Sequence, residues 1–240
     1  MIMNRNLDVS LVMERSWSEF KKHWTGLMGI LLVVLVVSAG IAYLNPYEVP
    51  ANVTGEEYVN WFFENGLAYY GWSIMASVVQ VALLAWFYKE ALQRIKDKEM
   101  VFNADVVLRY LAVSILVGLA TYVALFCCII PVFFIAPRLI IAPLYIIDNP
   151  GMGVGEAIDR SWKDTKGNVI PLLALGLIAV LISVLGVICC FVGIVPASVL
   201  IYIILIVAYL ILSGQSEDAS EDKTTVTEES FVIEEKTVCR

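Results

Sequence analysis

The sequence predicts an all-α polytopic membrane protein with six transmembrane helices in three hairpins and interfacial amphipathic helices. Two observations support this prediction: the composition is too apolar for a soluble domain, and basic residues are confined to alternate loops. Hydrophobic residues make up 60% of the 240-residue chain and charged residues 16%. Soluble domains average about 45–50% apolar and about 25% charged residues, so lipid must cover part of this apolar surface.

Six apolar runs are long enough to cross a bilayer, whose hydrocarbon core needs about 20 residues of helix. They are residues 25–44, 67–88, 106–126, 130–147, 169–188 and 194–212. Very short connections join the third run to the fourth and the fifth to the sixth, which predicts tight helical hairpins. The chain therefore divides into a cytoplasmic amphipathic segment (1–24), a six-span membrane domain (25–212) and an acidic tail (213–240).

Lysine and arginine orient these spans, because the cytoplasmic loops of membrane proteins are enriched in them. Basic residues precede the first run and follow the second, fourth and sixth, whereas the outer loop 45–66 carries four glutamates and no basic residue. This asymmetry predicts that both termini and the loops at Lys96 and Lys163 are cytoplasmic. We expect the protein to reside in the plasma membrane as a multi-pass protein.

The tail 213–240 holds eight carboxylates and three basic residues, and it supplies most of the net charge of −7. The acidic balance therefore does not describe the basic membrane-facing loops, and nothing in the composition indicates nucleic-acid binding. A polar, acidic segment without apolar periodicity is typical of disorder. We expect truncation after Leu212 to leave the stability nearly unchanged.

A six-residue motif occurs twice, each time before a membrane run. Residues 14–19, Glu-Arg-Ser-Trp-Ser-Glu, reappear as residues 159–164, Asp-Arg-Ser-Trp-Lys-Asp. The apolar residues around each copy fall near one helical face, so both segments can lie flat in the inner interface with that face in the membrane. The alternative is that they only start the next span and anchor its depth.

Five short motifs follow one another in the second half: Cys-Cys-Ile-Ile-Pro (127–131), Pro-Arg-Leu (137–139), Ile-Ile-Asp-Asn (146–149), Glu-Ala-Ile-Asp-Arg-Ser-Trp (156–162) and Thr-Lys-Gly-Asn (165–168). In these motifs the chain resembles the membrane domain attached to some glycerophosphoryl diester phosphodiesterases, and related six-span prokaryotic membrane proteins. The resemblance covers about residues 10–212 and implies a six-helix membrane fold. It does not imply the phosphodiesterase activity, because the sequence has no counterpart of the soluble barrel and its catalytic residues.

Arg138 is the charged residue nearest the middle of a predicted span, and no acidic residue lies within any span to pair with it. Burying such an arginine costs about 2.5–3.5 kcal/mol on membrane-insertion scales. Pro137 and Pro143 each remove a helical hydrogen bond and free a nearby carbonyl. One interpretation is a binding site for an anion, a lipid phosphate or a substrate, with Gln80 of the second span as neighbour. The other is an arginine satisfied by carbonyls of its own broken helix, or one that reaches the interface.

Four cysteines stand at the outer ends of the predicted hairpins: Cys127, Cys128, Cys189 and Cys190. If the outer side is oxidising, a disulfide between the two tips is the sensible pairing, and free buried thiols are the alternative. No histidine lies nearby, so zinc is not expected. Asn52 begins an Asn-Val-Thr glycosylation sequon on the outer loop.

The glycine-rich stretch 151–155 precedes a predicted helix, where backbone N–H groups can bind phosphate. It lacks the spacing of a dinucleotide site and the lysine of a P-loop, so a flexible loop is favoured. His23, the one histidine, is interpreted as an anchor at the inner interface. A single histidine excludes most catalytic triads and histidine metal sites, and we predict no catalytic residue, metal or cofactor.

These patterns favour a non-enzymatic integral membrane protein that organises lipids or partner proteins. The alternative is a small transporter or channel subunit for an anionic or lipid substrate that uses Arg138. Proton-coupled transport usually needs carboxylates or histidines inside the membrane, and the predicted spans contain none. A membrane enzyme is disfavoured for the same reason. The expected partners are membrane lipids and other membrane proteins.

Overall fold

The computed structural model of the protein describes residues 7–47, 54–127, 129–188 and 193–215. Over these residues it is 86% helix and contains no strand, in agreement with the predicted all-α class. Eight helices follow one another in this part of the chain: α1 (Val9–Tyr43), α2 (Gly55–Lys96), α3 (Ala104–Cys127), α4 (Ile129–Leu139), α5 (Ala142–Asp148), α6 (Val154–Asp164), α7 (Val169–Ile188) and α8 (Ile194–Ser213).

Five of the described helices, α1, α2, α3, α7 and α8, are long and apolar enough to cross a membrane. The architecture is therefore that of a multi-pass membrane protein, as the composition predicts. The fourth predicted span, residues 130–147, is the exception. It is not one helix but two, α4 and α5, which are separated by a turn at Ile140 and Ile141.

Proline explains this break. Pro143 stands in the first turn of α5, where its missing N–H costs least, whereas a continuous helix would need that N–H to bond the carbonyl of Leu139. α4 therefore ends at Leu139, and α5 begins at Ala142. The side chains of α5 are almost all buried, and such a covered position is where a membrane protein tolerates a broken helix.

α1 joins the first amphipathic segment to the first span in one helix of 35 residues. Asp8 caps its start by accepting a hydrogen bond from the Ser10 N–H at 2.9 Å. Val12 and Ser16 on this helix are fully buried. The described part of the segment 1–24 is therefore continuous with the helix of the first span, and its buried positions pack against the same core. Its place in the inner interface stays a prediction.

α2 is much longer than the second predicted span, 67–88. It runs for 42 residues, about 63 Å at 1.5 Å per residue, and includes more than half of the predicted outer loop. A capping box fixes its start, where Glu57 accepts a hydrogen bond from the Thr54 N–H at 2.9 Å. Because the hydrocarbon core is only about 30 Å thick, α2 must be strongly tilted or extend beyond it.

α6 is a separate amphipathic helix, as the second copy of the motif predicts. Ala157 and Ser161 are buried, whereas its charged side chains are mostly exposed: Glu156, Asp159, Arg160 and Lys163. Trp162 is 41% exposed and so lies at the edge of the apolar face. The helix packs against α3, α4 and α5, which places it beside the break in the fourth segment.

The buried core lies toward the end of the bundle that holds α5 and α6. α1 packs most extensively against α8, and further contacts join α1 to α2, α3 to α4 and α7 to α8. The largest fully buried side chains include Phe87, Tyr145 and Tyr209, from the predicted cytoplasmic halves of α2, α5 and α8. The most apolar stretch of α2 contains no buried residue, so few side chains of other helices cover this part of α2.

Candidate functional site

A serine from α6 satisfies the backbone at the break. No backbone N–H in the described chain bonds the carbonyl of Arg138 across the turn, and the hydroxyl of Ser161 donates to this carbonyl instead, at 2.5 Å. Ser161 is fully buried. Inside a membrane protein a carbonyl without a partner is costly because no water can replace it. Ser161 therefore holds α6 against the broken segment.

Arg138 lies at the end of α4 and not in the middle of a continuous span. Its guanidinium carbon stands 4.6 Å from the ring centroid of Trp162 on α6, which is a cation–π contact. Its Nε atom is buried and has no hydrogen-bond partner among the described residues. This geometry fits an arginine that reaches toward the exposed face of α6, and ligand binding by Arg138 stays a prediction.

Gln80 lies in a different region from Arg138. It lines a cavity of about 240 Å³ between α1 and α2, and α2 is not among the helices that pack extensively against α4. The residue that contacts the Arg138 guanidinium is Trp162. The two residues that the sequence suggested as neighbours therefore belong to two sites, because the break places Arg138 beside α6.

One carboxylate joins the ends of three helices. Asp148, the last residue of α5, forms an ion pair with Lys96 at the end of α2. It also accepts hydrogen bonds from the Tyr209 hydroxyl at 2.6 Å and from the Gln215 amide at 2.7 Å. Lys96 donates in turn to the Gln215 carbonyl oxygen at 2.6 Å. We refer to these four residues as the Asp148 cluster.

The donors of this cluster keep Asp148 ionised although only 2% of its side chain is exposed. Desolvation by burial raises the pKa of the carboxyl group. The hydrogen bonds from Lys96, Tyr209 and Gln215, together with the positive charge of Lys96, outweigh this effect and lower the pKa below its ordinary value of 3.8. Charge-assisted hydrogen bonds of this kind are stronger than neutral ones, so the cluster fixes α5 to α2 and α8.

Tyr145 connects the Asp148 cluster to α6. Its hydroxyl donates to the carboxylate of Asp164, and its ring meets the ring of Tyr209 edge to face at a centroid distance of 4.9 Å. A polar cavity of about 460 Å³ opens beside it, lined by Tyr145, Glu156, Asp159, Arg160, Lys163, Asp164, Ser213 and Gln215. Arg160 and Lys163 in the wall of this cavity form ion pairs with acidic residues of α6, at 3.8 and 2.5 Å. Because their charges are compensated, the cavity does not favour an anionic ligand.

An apolar groove of about 340 Å³ lies between α4, α7 and α8, and all its lining side chains are apolar. We call it the α4–α7–α8 groove. Four residues of the fourth segment line it: Phe133, Ala136, Pro137 and Ile140. At 3.6 residues per turn, the mean direction of these four side chains is about 150° around the helix axis from the direction of Arg138. The groove and the arginine are therefore separate features of the same segment.

Several predicted sites lie outside the residues whose side chains the structure describes. Asn52, Cys128, Cys189 and Cys190 belong to the segments it leaves out, and Cys127 is placed only as the backbone end of α3. The predicted sequon and the two alternatives for the cysteines therefore stay predictions. In the described part of the chain, no group of three His, Cys, Asp or Glu side chains could hold a metal ion.

The glycine-rich stretch 151–155 is held by an arginine from α3. Arg109 donates to the carbonyls of Pro150 and Met152 at 3.0 and 3.3 Å. The stretch thus offers carbonyl oxygens to a cation at this point, which fits the loop interpretation better than a phosphate cradle.

His23 on α1 is mostly covered by protein. Only 16% of its side chain is exposed, and its Nε2 atom lies 3.5 Å from the Glu19 carboxylate one turn earlier. The anchor interpretation placed this histidine at the membrane surface. The structure shows that its side chain is largely covered by protein, and the anchor interpretation stays a prediction.

The Asp148 cluster is what sequence reasoning missed. The sequence marks Lys96 only as a topology signal and Asp148 only as part of the motif Ile-Ile-Asp-Asn. It places Gln215 in the tail, yet this residue bonds both of them. The sequence contains one signal for this cluster. A carboxylate directly after an apolar run needs a hydrogen-bonding or oppositely charged partner if the end of that run is buried.

No family model, curated protein or solved structure matches this chain. The resemblance to the membrane domain attached to glycerophosphoryl diester phosphodiesterases therefore stays a prediction.

Proposed function

We propose that this protein is a non-enzymatic, multi-pass membrane protein that organises lipids, and that it binds the acyl chain of a lipid in the α4–α7–α8 groove. The groove is the observation that carries the proposal. Its volume of about 340 Å³ falls within the range of about 300–1,000 Å³ typical of ligand sites. Its wholly apolar lining offers nothing to a polar ligand.

Small residues from three helices create the space: Ala136 of α4, Gly176 and Ala179 of α7, and Ala208 of α8. Inside a bilayer the filling of such a hollow is favoured by dispersion contacts more than by the hydrophobic effect, because the surrounding lipid is equally apolar. A flexible hydrocarbon chain can follow the groove and make these contacts.

The test is a pair of neighbouring substitutions on α7. Ala179→Leu fills the groove, whereas Val180→Leu changes a residue that does not line it and is exposed. Native mass spectrometry of the purified proteins should show fewer retained lipids in Ala179→Leu and wild-type retention in Val180→Leu. Equal retention in both variants would overturn the acyl-chain site.

In the topology we propose, α4 and α5 together make the fourth crossing of the membrane. Six crossings then form three hairpins, with both termini in the cytoplasm and the protein in the plasma membrane. Support comes from their combined extent, 129–148, which matches the roughly 20 residues a crossing needs. The distribution of basic residues supports the same orientation.

Cysteine labelling in intact cells tests this topology. In a cysteine-free background, Lys98→Cys, an exposed neighbour of Lys96, and Lys163→Cys should be protected from an impermeant thiol reagent, and Glu64→Cys in the outer segment should react. Reaction at Lys98→Cys would reverse the orientation. Opposite results at Lys98→Cys and Lys163→Cys would instead show that α4 and α5 do not cross.

One observation favours a second function, that of a small transporter or channel subunit for an anionic or lipid substrate. The fourth segment is broken and ends in the buried ion pair of Asp148 and Lys96, and broken helices with nearby charges are typical of transporter binding sites. In this alternative Arg138 contacts the substrate. Flux of fluorescent phospholipid across proteoliposomes that stops in Arg138→Leu would support it, and absence of flux in the wild type would oppose it.

A further inference from the structure

A cavity of about 240 Å³ between α1 and α2 combines polar and apolar walls. Neither helix lines the α4–α7–α8 groove, so this cavity is a different site. Its polar lining comes from Ser38 of α1, from Asn45 just beyond the end of α1, and from Trp72, Ser73 and Gln80 of α2. No charged side chain is among its lining residues.

Three of these side chains, Ser38, Trp72 and Gln80, form no hydrogen bond with any part of the protein that the structure describes. Ser73 differs from them, because its hydroxyl donates to the Tyr69 carbonyl at 2.9 Å. Polar groups on a membrane-spanning helix are costly unless something bonds them. Ser38 and Trp72 are half-buried and Gln80 is exposed, so within the membrane these groups would face lipid tails unless an occupant of the cavity bonds them.

The lining narrows the chemistry of this occupant. The indole N–H of Trp72 can only donate, whereas the Gln80 amide and the Ser38 hydroxyl can donate and accept. Because the wall carries no charge, an uncharged group fits better than a phosphate or an ammonium. We infer that the cavity binds the glycerol-ester region of an uncharged lipid, whose carbonyl and hydroxyl oxygens complement these side chains.

The position of the cavity suits a lipid more than a water-soluble ligand. α1 and α2 are both long and apolar enough to span the membrane, and the most apolar stretch of α2 has no buried residue. A lipid can therefore reach the cavity sideways from the bilayer and leave its acyl chains there. Ile41, Ala42 and Ala76 supply apolar contacts at the site.

Titration of the full-length protein with 1,2-dioleoylglycerol in detergent micelles tests the inference, with melting temperature and native mass spectrometry as readouts. The wild type should show a saturable rise in melting temperature, and Ala179→Leu, whose α4–α7–α8 groove is filled, should form a one-to-one adduct. Gln80→Leu should bind about tenfold more weakly, which corresponds to the loss of one hydrogen bond. Trp72→Phe removes one donor, keeps most of the aromatic surface, and provides a second variant if Gln80→Leu does not fold.

Ser77→Ala is the matched control on the same helix, because the Ser77 hydroxyl already bonds the Ser73 carbonyl at 2.8 Å and does not line the cavity. It should bind dioleoylglycerol as the wild type does. In Ala179→Leu, whose α4–α7–α8 groove is filled, hexadecane should produce no comparable shift, since it lacks oxygen. An equal shift with hexadecane in that variant, or no saturable shift with dioleoylglycerol, would overturn the inference.

Two further outcomes separate this site from its alternatives. Ala179→Leu fills the α4–α7–α8 groove and should leave the dioleoylglycerol shift intact; loss of the shift in that variant alone would assign the binding to the groove. The wild type could instead form a dimer without a lipid adduct, and this dimer could dissociate in Gln80→Leu. That outcome would show that a second copy of the chain bonds these polar groups, and it would also overturn the inference.

Discussion

Asp148 connects parts of the protein that are far apart in the sequence. Its partners Lys96, Tyr209 and Gln215 lie 52, 61 and 67 residues away. Lys96 keeps only 20% of its side chain exposed, and Asp148 is the carboxylate that compensates its positive charge. Loss of one partner from a buried ion pair leaves the other charge uncompensated, which costs much more than the loss of a surface pair.

Asp148→Asn should therefore destabilise the protein by up to about 3–5 kcal/mol, measured as a lower melting temperature in detergent. The control is Asp159→Asn, which breaks an exposed pair with Lys163 and should change stability by less than about 1 kcal/mol. Equal effects of the two substitutions would contradict the central role of Asp148.

The same carboxylate makes stability depend on pH. Because its pKa is lower in the folded protein than its ordinary value of 3.8, its contribution is complete above that value and is lost as the pH falls through the folded-state pKa. The difference in melting temperature between the wild type and Asp148→Asn should shrink below about pH 4. A difference that stays constant down to the acid limit of folding would show that ionisation of Asp148 is not involved.

Ser161 and Ser16 occupy the same position in the two copies of the motif, and both are fully buried. Only Ser161 bonds a carbonyl, that of Arg138, whereas the Ser16 hydroxyl has no partner among the described residues. Ser161→Ala should therefore cost about 1–3 kcal/mol, the penalty of a buried acceptor left unpaired. Ser16→Ala should be nearly neutral by thermal melting, and a larger loss in Ser16→Ala would contradict this assignment.

At the scale of elements, the fourth segment depends on its neighbours. α4 and α5 have 11 and 7 residues, too few for either to span the bilayer alone. α6 contributes Ser161 to the break, and the Asp148 cluster fixes the far end of α5. The two proline-limited helices are thus held in place by tertiary contacts and not by continuous helical hydrogen bonding.

α7 and α8 approach each other closely at a glycine. A Cβ atom at Gly186 would lie 2.9 Å from the Cβ of Ala197 and 3.0 Å from the carbonyl oxygen of Gly193. Gly186→Ala should therefore destabilise the α7–α8 contact, although alanine is the better helix former by about 1 kcal/mol.

Gly118→Ala on α3 is the control for this effect, because a Cβ there meets nothing within 4 Å. It should be neutral or stabilising in a thermal melt. If Gly186→Ala were equally well tolerated, the two helices would have room to separate, and the close approach would not matter for stability.

At the scale of the whole molecule, the packed end of the bundle includes the beginning of the acidic tail. Gln215 donates to Asp148 and accepts from Lys96. The expectation that the chain can be cut after Leu212 without loss is therefore not supported by the packing. The rest of the tail, 216–240, lies outside the described residues.

Two truncations separate these parts of the tail. A chain that ends after Gln215 should melt close to the wild type, whereas one that ends after Leu212 should lose about 1.5–3 kcal/mol, since hydrogen bonds to charged groups contribute that much. Gln215→Ala in the full-length chain should reproduce most of this loss. A stable Leu212 truncation would show that Gln215 is dispensable, and an unstable Gln215 truncation would show that residues beyond it contribute.

Some of the structure could be predicted because it depends on local pattern. The spacing of Ala157 and Ser161 places both on the buried face of α6. Pro137 and Pro143 both weaken the fourth segment in the sequence, but the sequence does not show that the helix ends before the second of them. The neighbour of Arg138 could not be predicted in this way. Gln80 was chosen for its polarity and depth, yet Trp162 is the residue in contact, because the break determines which side of α4 meets α6.

By itself the sequence determined that this is an all-helical membrane protein and where its apolar segments lie, because hydrophobic length and helical periodicity are properties of short stretches of chain. Only the tertiary structure decided that the fourth segment is two helices, that Ser161 satisfies its backbone, and that Lys96, Asp148, Tyr209 and Gln215 form one cluster. These features join residues that are distant in the chain. Their energies come from burial and partner geometry, which are properties of the packed protein and not of any single segment.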